Sequence, residues 1–94
     1  MSVSAVPTIQ IDNDRTRVTE WRFAPGAATG FHRHDYDYVV VPMTSGQLQL
    51  IDSAGAASMA TLQTGVSYFR SAGVEHDVVN ANPFEFVFVE IEFK

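Results

Sequence analysis

His32 and His34 form a His-x-His pair, and His76 is the third and last histidine of the chain. On a strand, residues i and i+2 point to one face and sit about 6.5–7 Å apart along it. Two imidazoles in that geometry can converge on one ion at metal–nitrogen distances of about 2.0–2.1 Å. His76 follows a glycine turn, Ala72-Gly73-Val74-Glu75, and opens a later extended segment that antiparallel pairing would bring alongside; it shares one face of that segment with Asn80. Arg33, between the first two histidines, points away from them and reads as a surface residue. A plainer reading stands beside the metal site: a hydrogen-bonded interior histidine cluster with no ion.

Other groups within reach of such a site can be named from the same alternation. Tyr38 offers a phenol that could donate a hydrogen bond to a bound substrate, a catalytic or substrate-orienting role, against the alternative that Tyr36 and Tyr38 pack on one face with their hydroxyls in solvent. Trp21 reads as core or pocket mouth, and Phe23, Phe84, Phe86 and Phe88 as core. Arg22 and Arg70 are the cations that could hold a carboxylate. Glu90 and Glu92 interrupt an apolar strand on its Phe88 side and read as a solvated strand end. No Gly-x-Ser-x-Gly elbow, phosphate-binding glycine loop or dinucleotide fingerprint competes with the histidines.

The elements that must position these residues are strands. Arg15–Phe23 is rich in β-branched and aromatic residues, and Pro25-Gly26 and Gly30 break it. Extended segments follow at Phe31–His34, Tyr36–Met43, Gln47–Ile51, Ala57–Leu62, Val66–Phe69, His76–Asn80 and Phe84–Phe93, with turn signals between them. Strands about every ten residues indicate an all-β sandwich or barrel, and in so short a chain every strand must be paired. The last strand is apolar on both faces, Phe84, Phe86 and Phe88 on one, Val87, Val89, Ile91 and Phe93 on the other. Its second cover is either another subunit, giving a homodimer through the C-terminal strand 84–93, or the monomer's own sandwich.

Glycine spacing around the histidines adds a family likeness. Gly26, five residues, His32-Arg33-His34 and later Gly46 resemble the first motif of the cupin superfamily; Gly65, five residues, Ser71-Ala72-Gly73, two residues, His76, three residues, Asn80 resembles the second, with Ser71 in place of its proline. The likeness spans Gly26–Asn80 and implies a single cupin jelly-roll domain over residues 1–94, motif 1 within 26–46 and motif 2 within 65–80. It puts His32, His34 and His76 in the family's three histidine ligand slots. The family's glutamate ligand is missing: its slot falls on Val39 or Tyr38. Asp37 lies one residue early and would serve as fourth ligand only if the strand bulges. The resemblance therefore implies one divalent ion, Fe, Mn, Ni, Cu or Zn, on three imidazoles. With no carboxylate to balance its charge, such an ion favours an anionic ligand. Expected activity is dioxygenase-type chemistry on a small anionic metabolite, with isomerase or hydrolase chemistry second. A non-catalytic small-molecule-binding module, with or without metal, is the alternative. The short form is also similar to small cupins named for β-alanine degradation.

Composition narrows the partners. The 94 residues carry six Lys+Arg against eleven Asp+Glu, a formal charge of −5. That balance lacks the basic stripe of a nucleic-acid binder. No cysteine is present, which excludes disulfides, thiolate zinc sites and thiol nucleophiles. The start, Met1 to Pro7, has neither a basic region nor a long apolar run, and no stretch nears the ~20 apolar residues of a membrane helix. These features give the expectation of a cytoplasmic protein with a small-molecule ligand and no nucleic-acid or membrane partner.

Overall fold

The computed structural model describes residues 3–94 and contains nine strands and no helix among them. In chain order they are β1 Val6–Asp12, β2 Thr16–Phe23, β3 His32–Arg33, β4 Asp37–Pro42, β5 Gly46–Ile51, β6 Ala57–Leu62, β7 Tyr68–Arg70, β8 Glu75–Asn80 and β9 Phe86–Phe93. One antiparallel sheet has the order β1-β2-β9-β4-β7 and the other β3-β8-β5-β6. Each expected strand is present; β1, whose seven residues VPTIQID are exposed throughout, was not expected.

Side chains from the inner faces of both sheets meet in a core that includes Phe23, Val40, Leu48, Val78, Phe86 and Phe88. Phe23 and Phe86 are fully buried, and the Phe23 and Phe88 rings lie 5.4 Å apart. Burial of each large apolar side chain contributes about 1.5–3 kcal/mol. Phe84 departs from the core expectation: it precedes β9 and is 44% exposed. The Val39–Val41 run divides by alternation, Val40 buried inside and its neighbours half-buried on the outer face.

β9 lies in the middle of its sheet, hydrogen-bonded to β2 on one side and β4 on the other. Both of its edges are thus satisfied within the chain, so only its outer face could meet a second subunit. The two sheets are tied together near Ala28, which bridges to Ser4 and to Val79. No helix of the described residues is long and apolar enough to cross a membrane.

Candidate functional site

β3 and β8 pair antiparallel with His32 directly opposite His76. Immediately after β3 the chain is pinned back onto the loop before β8: the His34 N–H donates to Val74 O at 2.8 Å and the Gly73 N–H to His34 O at 2.8 Å. Gly73 makes this turn with φ +98°, a conformation that disfavours any side chain. The outcome is a cluster of three imidazoles. His34 Nε2 lies 3.0 Å from His32 Nε2 and 3.1 Å from His76 Nε2.

The tautomer of His32 follows from its surroundings. Its Nδ1 is 2.8 Å from the Gly30 carbonyl, which can only accept, so Nδ1 carries the proton and the Nε2 lone pair faces the cluster. A second partner orienting a histidine in this way is the usual support of a metal ligand. Burial, reinforced by the neighbouring histidines, holds the pKa of both His34 and His76 down to about 4. Both are therefore neutral at pH 7, the state in which imidazole binds a metal. Three nitrogen donors on one point fit a divalent ion.

Tyr38 is 2% exposed and stacks on His34, ring centroids 4.0 Å apart and planes 18° from parallel. Its phenol pKa is pushed well up, first by burial and then by the negative charge of Glu90. It is a neutral donor at any physiological pH. Tyr38 thus joins the histidines, whereas Tyr36 is half-buried with the Arg17 guanidinium 5.9 Å from its ring centre.

Asp37 does not join them. The β4–β9 register runs without a bulge from Asp37 opposite Phe93 to Pro42 opposite Phe88, so Asp37 stays on the outer face. Its carboxylate is exposed and accepts the Ala72 N–H at 2.8 Å. The expectation that it could reach the cluster as a fourth ligand is corrected by that unbroken register. Arg33 points outward and pairs with Glu75 at 3.3 Å. Arg22 is likewise outside, paired with Glu85 and Glu20. Arg70 instead lines the cavity beside the histidines.

The carboxylates of the site come from β9. Glu90 and Glu92 are only 7% and 6% exposed, which overturns their assignment to a solvated strand end. They share the inward face of β9 with Phe86 and Phe88. Glu92 is held in a fork by Arg17, Nε–Oε1 at 2.8 Å and Nη2–Oε2 at 3.1 Å. Glu90 opens onto the cavity with Trp21, His32, His76 and Tyr68. Burial and the nearby charge of Glu92 push its carboxyl up to about 7, with the Trp21 indole acting in the opposite sense. Both carboxylates come within 4.8 Å of a His34 nitrogen.

Asn80, at the far end of β8, is a latch. Its Nδ2 donates to the carbonyls of Phe84 at 2.8 Å and of Phe23 and Ala24 at 3.2 Å, while its Oδ1 accepts from Asn82. A family model described as a cupin domain matches residues 19–91. The chain belongs to the cupins. It is 59% identical over 90 residues to the β-alanine degradation protein BauB of Pseudomonas aeruginosa, covering 96% of this chain and 94% of that protein. It is 57% identical to a cupin domain of Bordetella pertussis of known crystal structure, with a TM-score of 0.96 over 100% of this chain and 97% of that one. A Klebsiella pneumoniae protein with a double-stranded β-helix domain, 20% identical, shares the fold at a TM-score of 0.75 over 94% of this cupin and 75% of its own chain.

Proposed function

We propose that this cupin is a metal-dependent protein of small-molecule metabolism, in which His32, His34 and His76 hold one divalent ion, Fe, Mn, Ni, Cu or Zn. The observation that carries the reading is the convergence of three imidazole nitrogens, with a cavity lined by His32 and His76 beside them. A bound ion there supplies Lewis acidity and, if redox-active, dioxygenase-type chemistry. The chain's own residues do the rest. Tyr38 clamps the His34 ring and offers a neutral hydroxyl. Apolar walls from Val40, Leu48 and Val78 exclude water. Arg70 provides the positive charge that draws a small anionic metabolite to the cavity. The name of the Pseudomonas relative supports a place in β-alanine breakdown.

The outer face of the five-stranded sheet presents Val39, Val41, Val89 and Ile91, with Phe69 and Phe93 exposed at its margins. In this reading that face meets a second copy, giving a homodimer.

The test is reconstitution with each ion, followed by calorimetry with small carboxylates and measurement of oxygen consumption. Metal-dependent binding with oxygen uptake is expected. Metal-dependent binding without turnover would assign a binding module instead, and equal binding in excess chelator would overturn the metal-dependent reading.

A further inference from the structure

Glu90 is more than nine-tenths buried, and no lysine, arginine or histidine forms an ion pair with it among the described residues. A carboxylate so placed costs free energy unless an opposite charge meets it. Glu92, its neighbour on the same face of β9, already has one, because the Arg17 guanidinium grips both Glu92 oxygens. What faces Glu90 is the histidine cluster.

Two clefts meet at that cluster. One is lined by His32, His34, Glu90 and Glu92, the other by His32, His76 and Glu90. Glu90 is therefore the carboxylate that shares open space with all three histidines, whereas Glu92 reaches only the first cleft. Oxygens of both glutamates lie within 4.8 Å of a His34 nitrogen and of each other. Three side-chain torsions separate the Glu90 backbone from its carboxylate, and rotation about them moves its oxygens by several ångströms.

Sheet register explains the placement. Across the β4–β9 ladder Tyr38 pairs with Glu92 and Val40 with Glu90. On β4 the inward position beside His34 is filled by the Tyr38 ring, which stacks on the imidazole and brings no carboxylate. β9 presents its carboxylates one strand spacing away, roughly 5 Å across the sheet. A divalent ion on three imidazoles keeps both of its positive charges, and in a poorly solvated interior one carboxylate offsets half of that charge.

We propose that Glu90 is the carboxylate ligand of the histidine-bound ion, supplied by β9 rather than by β4. This rests on the reading of His32, His34 and His76 as ligands, and it extends the donor set to three nitrogens and one carboxylate. Glu92 stays with Arg17.

The experiment measures metal affinity by competition with a chromophoric chelator, using Zn²⁺ and Co²⁺ alone. It compares the unsubstituted protein with Glu90→Leu, Glu90→Gln, Glu92→Gln and His34→Ala. Glu90→Leu removes both the charge and the donor atom; Glu90→Gln keeps the shape and loses the charge. Both relieve an unpaired buried carboxylate, so a cooperative melt of each chelator-treated variant is expected. Both should bind about tenfold or more weakly than the unsubstituted protein, and Glu92→Gln should lose less. The visible spectrum of the cobalt-loaded protein should change in Glu90→Leu, because a donor atom is lost. Unchanged affinity in both Glu90 variants, with His34→Ala deficient, would overturn the proposal while leaving the three-histidine site in place. Weaker binding with an unchanged cobalt spectrum in Glu90→Leu would overturn it as well, by making Glu90 act through space. A larger loss in Glu92→Gln than in either Glu90 variant would give the ligand to Glu92 instead. No metal bound by the unsubstituted protein would remove the histidine site itself.

Discussion

At the residue scale, the protonation states of the site contribute to the pH response of the fold between pH 4 and 7. His34 and His76 titrate near 4 in the fold against an ordinary value of 6.5. Between those values the unfolded chain binds more protons than the folded one, so stability present above pH 6.5 is lost as pH falls toward 4. Glu90 acts in the opposite sense. Raised from 4.5 to about 7, it contributes stability that is complete below 4.5 and is lost as pH rises through 7. Two imidazoles oppose one carboxyl, so the urea midpoint of chelator-treated protein should fall as pH drops from 6.5 to 4.5. Glu90→Gln should steepen that fall; a flat midpoint across this window would contradict the assignment of neutral, buried histidines. Tyr38 carries a second prediction. Tyr38→Phe keeps the ring that stacks on His34, so metal affinity should hold while ligand affinity drops. Tyr38→Ala removes the ring, should cost about 3–5 kcal/mol in a thermal or urea melt, and should weaken metal affinity as well. Equal metal affinity in the Phe and Ala variants would remove the clamping role.

At the element scale, alternation made most of the sheet legible before any coordinates. The His-x-His spacing and the glycine turn before His76 left a meeting of the three histidines open, and the glycine spacing that resembles the two cupin motifs pointed to it; β3 and β8 pair in the register that sets His32 opposite His76. The same alternation places Glu90 and Glu92 on the Phe86 and Phe88 side of β9. Their inward direction was therefore available in the sequence. It was overridden by the rule that carboxylates seldom bury, which fails here because Arg17 neutralises one and the cavity accommodates the other. β1 was missed for a different reason: VPTIQID has no buried face, so it carries no hydrophobic period to detect. What the second motif's asparagine does was also invisible without the fold. Asn80 satisfies three carbonyls from distant segments, so Asn80→Ala should lower stability by about 2–4 kcal/mol, read as a shift in urea midpoint. A loss under half a kcal/mol would deny the latch. Gly46 is constrained from the same side, because a Cβ there would stand 2.6 Å from Asn82 Oδ1, whose side chain bonds both the N–H and carbonyl of Gln47.

At the scale of the whole molecule, the five-stranded sheet has one face in the core and one apolar face outward. The C-terminal strand lies centrally in its sheet, between β2 and β4, and the sequence argument for a second cover concerns its outward apolar face. Sedimentation should report the mass of two chains at micromolar concentration, and Ile91→Lys, at the middle of that face, should give single chains with the barrel intact. A single-chain mass for the unsubstituted protein would remove the dimer. The three-imidazole site is tested by elemental analysis of untagged protein, unsubstituted and His34→Ala, purified without chelator and reconstituted with each ion in turn. Close to one transition-metal ion per chain is expected in the unsubstituted protein, and loss of that ion from a His34→Ala protein that still melts cooperatively. No bound metal under any reconstitution, or the same metal content in both proteins, would contradict it.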